Sequence, residues 1–186
     1  MKINKKFLYL VVLGGRTPKS NIELHDVRWV IGSKIEDTFE QLRNEWFGSL
    51  KGFHIDSYKK IQSIDGYKIN LKKVQNNVSK NSSSNKSLWF VNIGGYDPCS
   101  MQEKHEFGLL VASSSSEAIK KAKSKWLIDS KQRHKDDISN LKSLKNLDDC
   151  KIIKNIQNWE IELIPDDNYV EVQNSPDWFG YMRIDK

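Results

Sequence analysis

Leu8-Tyr-Leu-Val-Val-Leu-Gly-Gly15 and Leu88-Trp-Phe-Val-Asn-Ile-Gly-Gly95 stand 80 residues apart, and the residues after each run in step. Laid over 88–138 without a gap, residues 8–58 give 51 pairs, thirteen of them identical. These include Gly14/Gly94, Gly15/Gly95, Pro18/Pro98, Glu23/Glu103, His25/His105, Ser33/Ser113, Trp46/Trp126, His54/His134 and Asp56/Asp136. That is several times what chance supplies, so the chain reads as a tandem duplication. Its four histidines make the point again, falling into two pairs with the same 29-residue spacing. Asp65-Gly-Tyr-Lys-Ile69 and Asp148-Asp-Cys-Lys-Ile152 extend the match after three extra residues in the second copy.

Because each pattern occurs twice, each element is predicted twice. The apolar runs 8–13 and 88–93 are expected to be buried strands, with Gly-Gly giving backbone freedom for a sharp exit into a turn. His25, Val27, Trp29 and Ile31 alternate with Leu24, Asp26, Arg28 and Val30, and His105, Phe107, Leu109 and Val111 with Lys104, Glu106, Gly108 and Leu110; period two with one apolar face predicts a half-buried strand. Ser33-x-x-Glu36 and Ser114-x-x-Glu117 have the form of capping boxes. Behind them Ile35, Phe39, Leu42 and Trp46, and then Ile119, Ala122 and Trp126, recur at helical spacing. A loop with His-x-Asp and a strand at 67–73 or 150–154 complete each unit.

The fold class predicted is α+β: two tandem strand–strand–helix–strand repeats related by pseudo-twofold symmetry, sharing one core and an antiparallel or mixed sheet. Sharing suits the size, since a unit of about 70 residues alone has a thin core. Repeat 1 is assigned to 1–74, a linker rich in Asn, Ser and Lys to 75–87, repeat 2 to 88–165 and a C-terminal extension to 166–186. Trp159-Glu-Ile-Glu-Leu-Ile164 alternates like a further strand. Trp178-Phe-Gly-Tyr181 has no counterpart in copy one and is expected to close the sheet or cover an edge.

Composition narrows the classes. A 38% hydrophobic chain with six Trp is globular, and two cysteines without C-x-x-C spacing exclude a disulfide scaffold or cysteine-rich zinc site. The net charge of +6 invites a nucleic-acid reading, but only five of thirty basic residues are Arg, and scattered Lys confers mainly solubility. Nucleic acid is therefore a disfavoured partner. Met1-Lys-Ile-Asn-Lys-Lys before an apolar run has the layout of a signal peptide. The same run recurs at 88–93, so it reads as a core strand, and a cytoplasmic location is expected. No stretch approaches the ~20 apolar residues of a membrane span.

One polar constellation survives in both copies: Glu23, His25, His54 and Asp56, with Glu103, His105, His134 and Asp136. On a strand, residues two apart share a face, so Glu23 and His25 are expected to pair, as are His54 and Asp56. A carboxylate beside an imidazole fixes its tautomer, which serves a general base, a metal ligand or a structural hydrogen bond equally. No cofactor is implied, although two His with carboxylates can hold a divalent metal. Arg16, beside Gly14-Gly15, is an anion-binding candidate that copy two replaces with Tyr96. The tryptophans are explained by helix-to-sheet packing. No G-x-S-x-G or phosphate-loop pattern is present.

Through Leu13-Gly-Gly-Arg-x-Pro18, Ile22-Glu-Leu-His-Asp26, His54-Ile-Asp56 and Val91-Asn-Ile-Gly-Gly-Tyr-Asp-Pro98, the chain resembles bacterial proteins catalogued as domain of unknown function 1543. That resemblance implies a fold and a bacterial origin and carries no activity. The leading expectation is a binding or interaction protein with a small-molecule or protein ligand at the repeat interface. The alternatives are a small metal-dependent or His acid/base hydrolase, and a weak nucleic-acid binder. The lack of a nucleophile leans against an enzyme.

Overall fold

The computed structural model of the 186-residue chain describes residues 5–74, 85–126, 132–133, 150–171 and 175–186. In the first half β1 (Phe7–Arg16) lies between β2 (Leu24–Gly32) and a long β3 (Ser49–Ile61), with a 3-10 turn (Ile35–Thr38) and α1 (Phe39–Glu45) inserted after β2. The short β4 (Ser63–Ile64) and β5 (Tyr67–Lys73) form a hairpin over the turn Asp65-Gly66. Both turn residues have positive φ, 48° and 84°, the backbone a tight hairpin demands. In the second half β6 (Ser87–Tyr96) pairs with β7 (Lys104–Ala112), α2 (Ser115–Lys125) comes next, and β8 (Gln132–Arg133) and β9 (Cys150–Ile153) line the other edge of β6. Then come β10 (Asn155–Ile156), β11 (Trp159–Pro165) and β12 (Trp178–Arg183). Every pairing among the described residues is antiparallel. The fold is accordingly α+β, mostly antiparallel sheet with few helices.

Strand alternation divides the apolar residues between faces. Leu8 and Leu10 of β1 join Ile31 and Ile61 against Leu88 and Phe90 of β6, with Leu109, Val111 and Ile153, so the two halves share a core. The Trp29 and Phe90 rings meet across it with centroids 4.9 Å apart. Tyr9, Val11 and Leu13 face the other way and pack with Leu42 and Trp46 at the α1 side. Val91 and Ile93 do the same with Ala118, Ala122 and Trp126. Each fully buried leucine contributes roughly 1.5–3 kcal/mol by leaving water.

The hairpins lock the halves together. β5 pairs with β11 from Lys73↔Trp159 to Tyr67↔Pro165, making a sheet of order β10-β11-β5-β4 whose apolar side covers the shared core. The Asp65 carboxylate at the hairpin tip accepts from the Val111 amide at 2.9 Å and from Lys125 at 3.1 Å, both in the second half.

Four expectations need correction. Gly14-Gly15 and Gly94-Gly95 lie inside β1 and β6, which run on to Arg16 and Tyr96, and none of these glycines has a positive φ. His54 and Asp56 belong to β3 rather than to a loop. Cys150–Ile153 matches the end of β3, not β5, because Ile153 faces Leu88 as Ile61 faces Leu8. The segment equivalent to β5 is β11, so the insertion in copy two is longer than three residues. Finally, the capping box forms once. Ser114 Oγ accepts from the Glu117 amide, and Glu117 accepts from the Ser113 amide at 2.8 Å. In the first half Lys34 occupies the N-cap without a side-chain bond, and the Ser33 amide is met by Asp37 rather than Glu36. The C-terminal strand β12 pairs with β3 at the sheet edge.

Candidate functional site

The first-half constellation assembles around a missing side chain. Gly14 is paired with His25 on β2 and with His54 on β3, so both imidazoles project on the same face with a gap between them. A Cβ on Gly14 would lie 2.5 Å from His54 Nε2 and 3.0 Å from Asp56 Oδ2. On the opposite face a Cβ at Gly15 would lie 2.8 Å from the Trp46 indole. The two glycines thus give space rather than backbone freedom: one admits the histidine, the next the tryptophan. A register shift between Val12 and Leu13 leaves Asp56 without a partner on β1, a β-bulge that turns its carboxylate toward the gap.

His54 is 1% exposed and its ring is fixed from every side. Nδ1 lies 2.8 Å from the Gly52 carbonyl, which can only accept, so Nδ1 carries a hydrogen. Nε2 lies 3.1 Å from Asp56 Oδ1 and 3.3 Å from Glu23 Oε1. A bare lone pair there would face two carboxylate oxygens, so the arrangement calls for a second hydrogen that both can accept. Tyr181 of β12 covers the ring with centroids 4.1 Å apart. Gly52, at φ 78°, takes a conformation glycine adopts freely, and its amide donates to Asp185 Oδ2. Arg183, with help from that amide, holds the Asp185 carboxyl down at about 2.

Of the two expected pairings, His54 with Asp56 forms and Glu23 with His25 does not. Glu23, just before β2, reaches His54 rather than His25, while His25 Nε2 lies 3.4 Å from Asp56 Oδ2. Asp56 Oδ2 is buried and has no hydrogen-bond partner. In the second half the pairing stays within one motif, with His105 Nε2 3.4 Å from Glu103 Oε2 and His105 Nδ1 3.2 Å from the Asn92 amide nitrogen. His134 and Asp136 lie outside the described residues. Arg16 does not join the cluster; its guanidinium is exposed and donates to the Asn21 carbonyl. Among the described residues no three His, Cys, Asp or Glu side chains are arranged to hold a metal ion.

His25 and His105 line one groove of about 640 Å³ between the two halves. Val12, Val27 and Trp29 come from the first half, and Phe90, Asn92 and Phe107 from the second. Asp26, Arg28 and Lys151 also line it; Arg28 pairs with Asp26 and lies 3.6 Å from the Glu45 carboxylate. Sequence reasoning missed Asn92, Gly52 and Tyr181. Asn92 aligns with the apolar Val12, and the tail bearing Tyr181 has no repeat to flag it.

Residues 20–71 and 100–152 each match the model of the Domain of Unknown Function (DUF1543). The two segments contain all eight residues of the constellation. A crystal structure of a protein Il1583 from Idiomarina loihiensis is similar, at 28% identity and a TM-score of 0.69, over 97% of this chain and 99% of that one. No curated protein matches. No helix among the described residues is long and apolar enough to cross a membrane.

Proposed function

We propose, since the chain belongs to the Domain of Unknown Function (DUF1543) family, that it is a ligand-binding protein whose site is the groove between its repeats. The observation that carries this reading is the shared lining: His25 and Trp29 from one repeat meet Asn92, His105 and Phe107 from the other. Aromatic and aliphatic walls from Val12, Val27, Trp29, Phe90 and Phe107 interleave with His25, Asp26, Arg28, Asn92, His105 and Lys151, and convergent polar groups of this kind fix the orientation of a small molecule. In this reading the two strand–strand–helix–strand units are related by a pseudo-twofold axis passing near the groove. The duplication then builds one composite site from residues that a single unit lacks.

His54 supports the site without entering it. By holding Asp56 it sets the carboxylate against which His25 is oriented, as an outer partner orients a functional imidazole. A metal-dependent hydrolase is the weaker reading, because among the described residues no three His, Cys, Asp or Glu side chains are arranged as a metal-ligand set.

The test is a fragment screen by 15N–1H NMR, with the Trp29 indole signal assigned through Trp29→Phe. Fragments that saturably shift this signal, and lose the effect in Val12→Trp, which fills the groove, are expected. Equal binding to Val12→Trp, or no saturable shift at Trp29, overturns the assignment.

A further inference from the structure

Strand register sets a row of side chains straight across the first-half sheet, and the groove follows it. Val12 on β1 stands opposite Val27 on β2 and opposite Ser57 on β3, and Ser57 in turn faces Phe179 on β12. Residues paired in this way share one face of the sheet. Neighbouring strands lie about 4.8 Å apart, so the row from Val27 to Phe179 is about 14 Å long.

The groove of about 640 Å³ occupies only the first part of that row, at Val27 and Val12. Beyond Val12 a second hollow of about 210 Å³ adjoins Ser57, with Leu10 beside it and Pro176 contributed by the segment that leads into β12. Val12, His105 and Phe107 line both hollows, so the two form one cleft running along β7.

The cleft is graded along its length. His25, Asp26, Arg28, Asn92 and Lys151 gather in the first hollow. In the second, Lys59 donates to the Ser175 carbonyl at 2.6 Å and Glu106 is likewise engaged, while Leu10, Val12, Phe107 and Pro176 supply apolar walls. Phe179 ends the row and is 79% exposed. One end of the cleft is polar and the other apolar.

We propose that the cleft takes an elongated amphiphile: a polar head beside His25 and Asn92, and an unbranched apolar chain lying over Val12 toward Ser57 and Phe179. This rests on the groove being the ligand site and adds the shape of what it binds. Each methylene that leaves water for the second hollow is worth up to about fourfold in affinity. A compact ligand of equal apolar content stops at the first hollow and forgoes that gain.

The test uses 4-ethylphenol, 4-butylphenol and 4-hexylphenol, with 4-tert-butylphenol as the compact isomer of the second. Each is titrated while the Trp29 indole and the Ser57 and Phe179 amide resonances are followed. Affinity is expected to rise at least about fivefold with each lengthening, and 4-butylphenol to exceed its branched isomer by a similar factor. Shifts at Ser57 and Phe179 should grow with chain length. Ser57→Trp, which fills the second hollow, is expected to abolish the gain with length, and Phe179→Ala to weaken 4-hexylphenol twofold or more. Both variants should bind 4-ethylphenol as wild type does. Equal affinity across the series, or no preference over the branched isomer, overturns the elongated ligand and leaves the groove standing. If no probe moves Trp29, both fail. A gain with length that survives both substitutions overturns the path over Ser57.

Discussion

Gly14 and His54 face each other across β1 and β3 so closely that a methyl group on Gly14 would come within 2.5 Å of His54 Nε2. The neighbour that would have to yield is a ring held by the Gly52 carbonyl, two carboxylates and Tyr181. Overpacking of this kind typically costs about 1–3 kcal/mol. Gly14→Ala is expected to lower stability by that amount in urea unfolding. It should also shift the His25 and His54 ring resonances, because the imidazole must leave its partners.

His54→Ala removes the donor between Glu23 and Asp56 and leaves the carboxylates facing each other. A loss of roughly 2 kcal/mol or more is expected, moderated because both acids are partly exposed. Glu23→Gln in the His54→Ala background should recover part of it by removing like-charge repulsion, while in wild type it should destabilise. Additive effects in this double-mutant cycle would show that the three groups are not coupled.

Asp185 contributes to the acid limb of stability at β12, since its carboxyl is held from 3.8 down to about 2 by Arg183 and the Gly52 amide. A depressed carboxyl contributes stability that is fully present above its unfolded value and is lost as pH falls through its folded value. Docking of β12 on β3 should therefore weaken between about pH 4 and pH 2, seen as faster amide exchange at residues 178–183. In Asp185→Asn that pH dependence should flatten.

Ser33 and Ser114 look alike in sequence and should behave differently. Ser114 Oγ caps α2, so Ser114→Ala is expected to cost about 1 kcal/mol. Ser33 Oγ is buried with no partner, and Ser33→Ala should be neutral or slightly stabilising. Thermal melts of the two variants decide the matter. Equal losses would contradict the difference in capping.

Much of this protein was legible in its residues. The repeat determined the number of units, the strand and helix periods located β1, β2, α1 and their counterparts, and the paired histidines marked the only constellation common to both copies. Those signals are local: period and spacing are properties of a short stretch of chain.

Tertiary structure decided the rest. Glu-x-His was expected to pair within itself, yet Glu23 serves His54 and Asp56 serves His25, because strand register and a bulge bring β2 and β3 together over Gly14. Gly-Gly was read as a turn, since sequence reports what glycine permits and not which neighbour needs its missing Cβ. The β5–β11 pairing, the Tyr181 cover and the groove joining His25 to His105 depend on contacts between residues far apart in sequence. The sequence alone determined that there are two units and which polar residues they share. Only packing could set which of those residues meet, because that choice depends on register and on shape across the sheet.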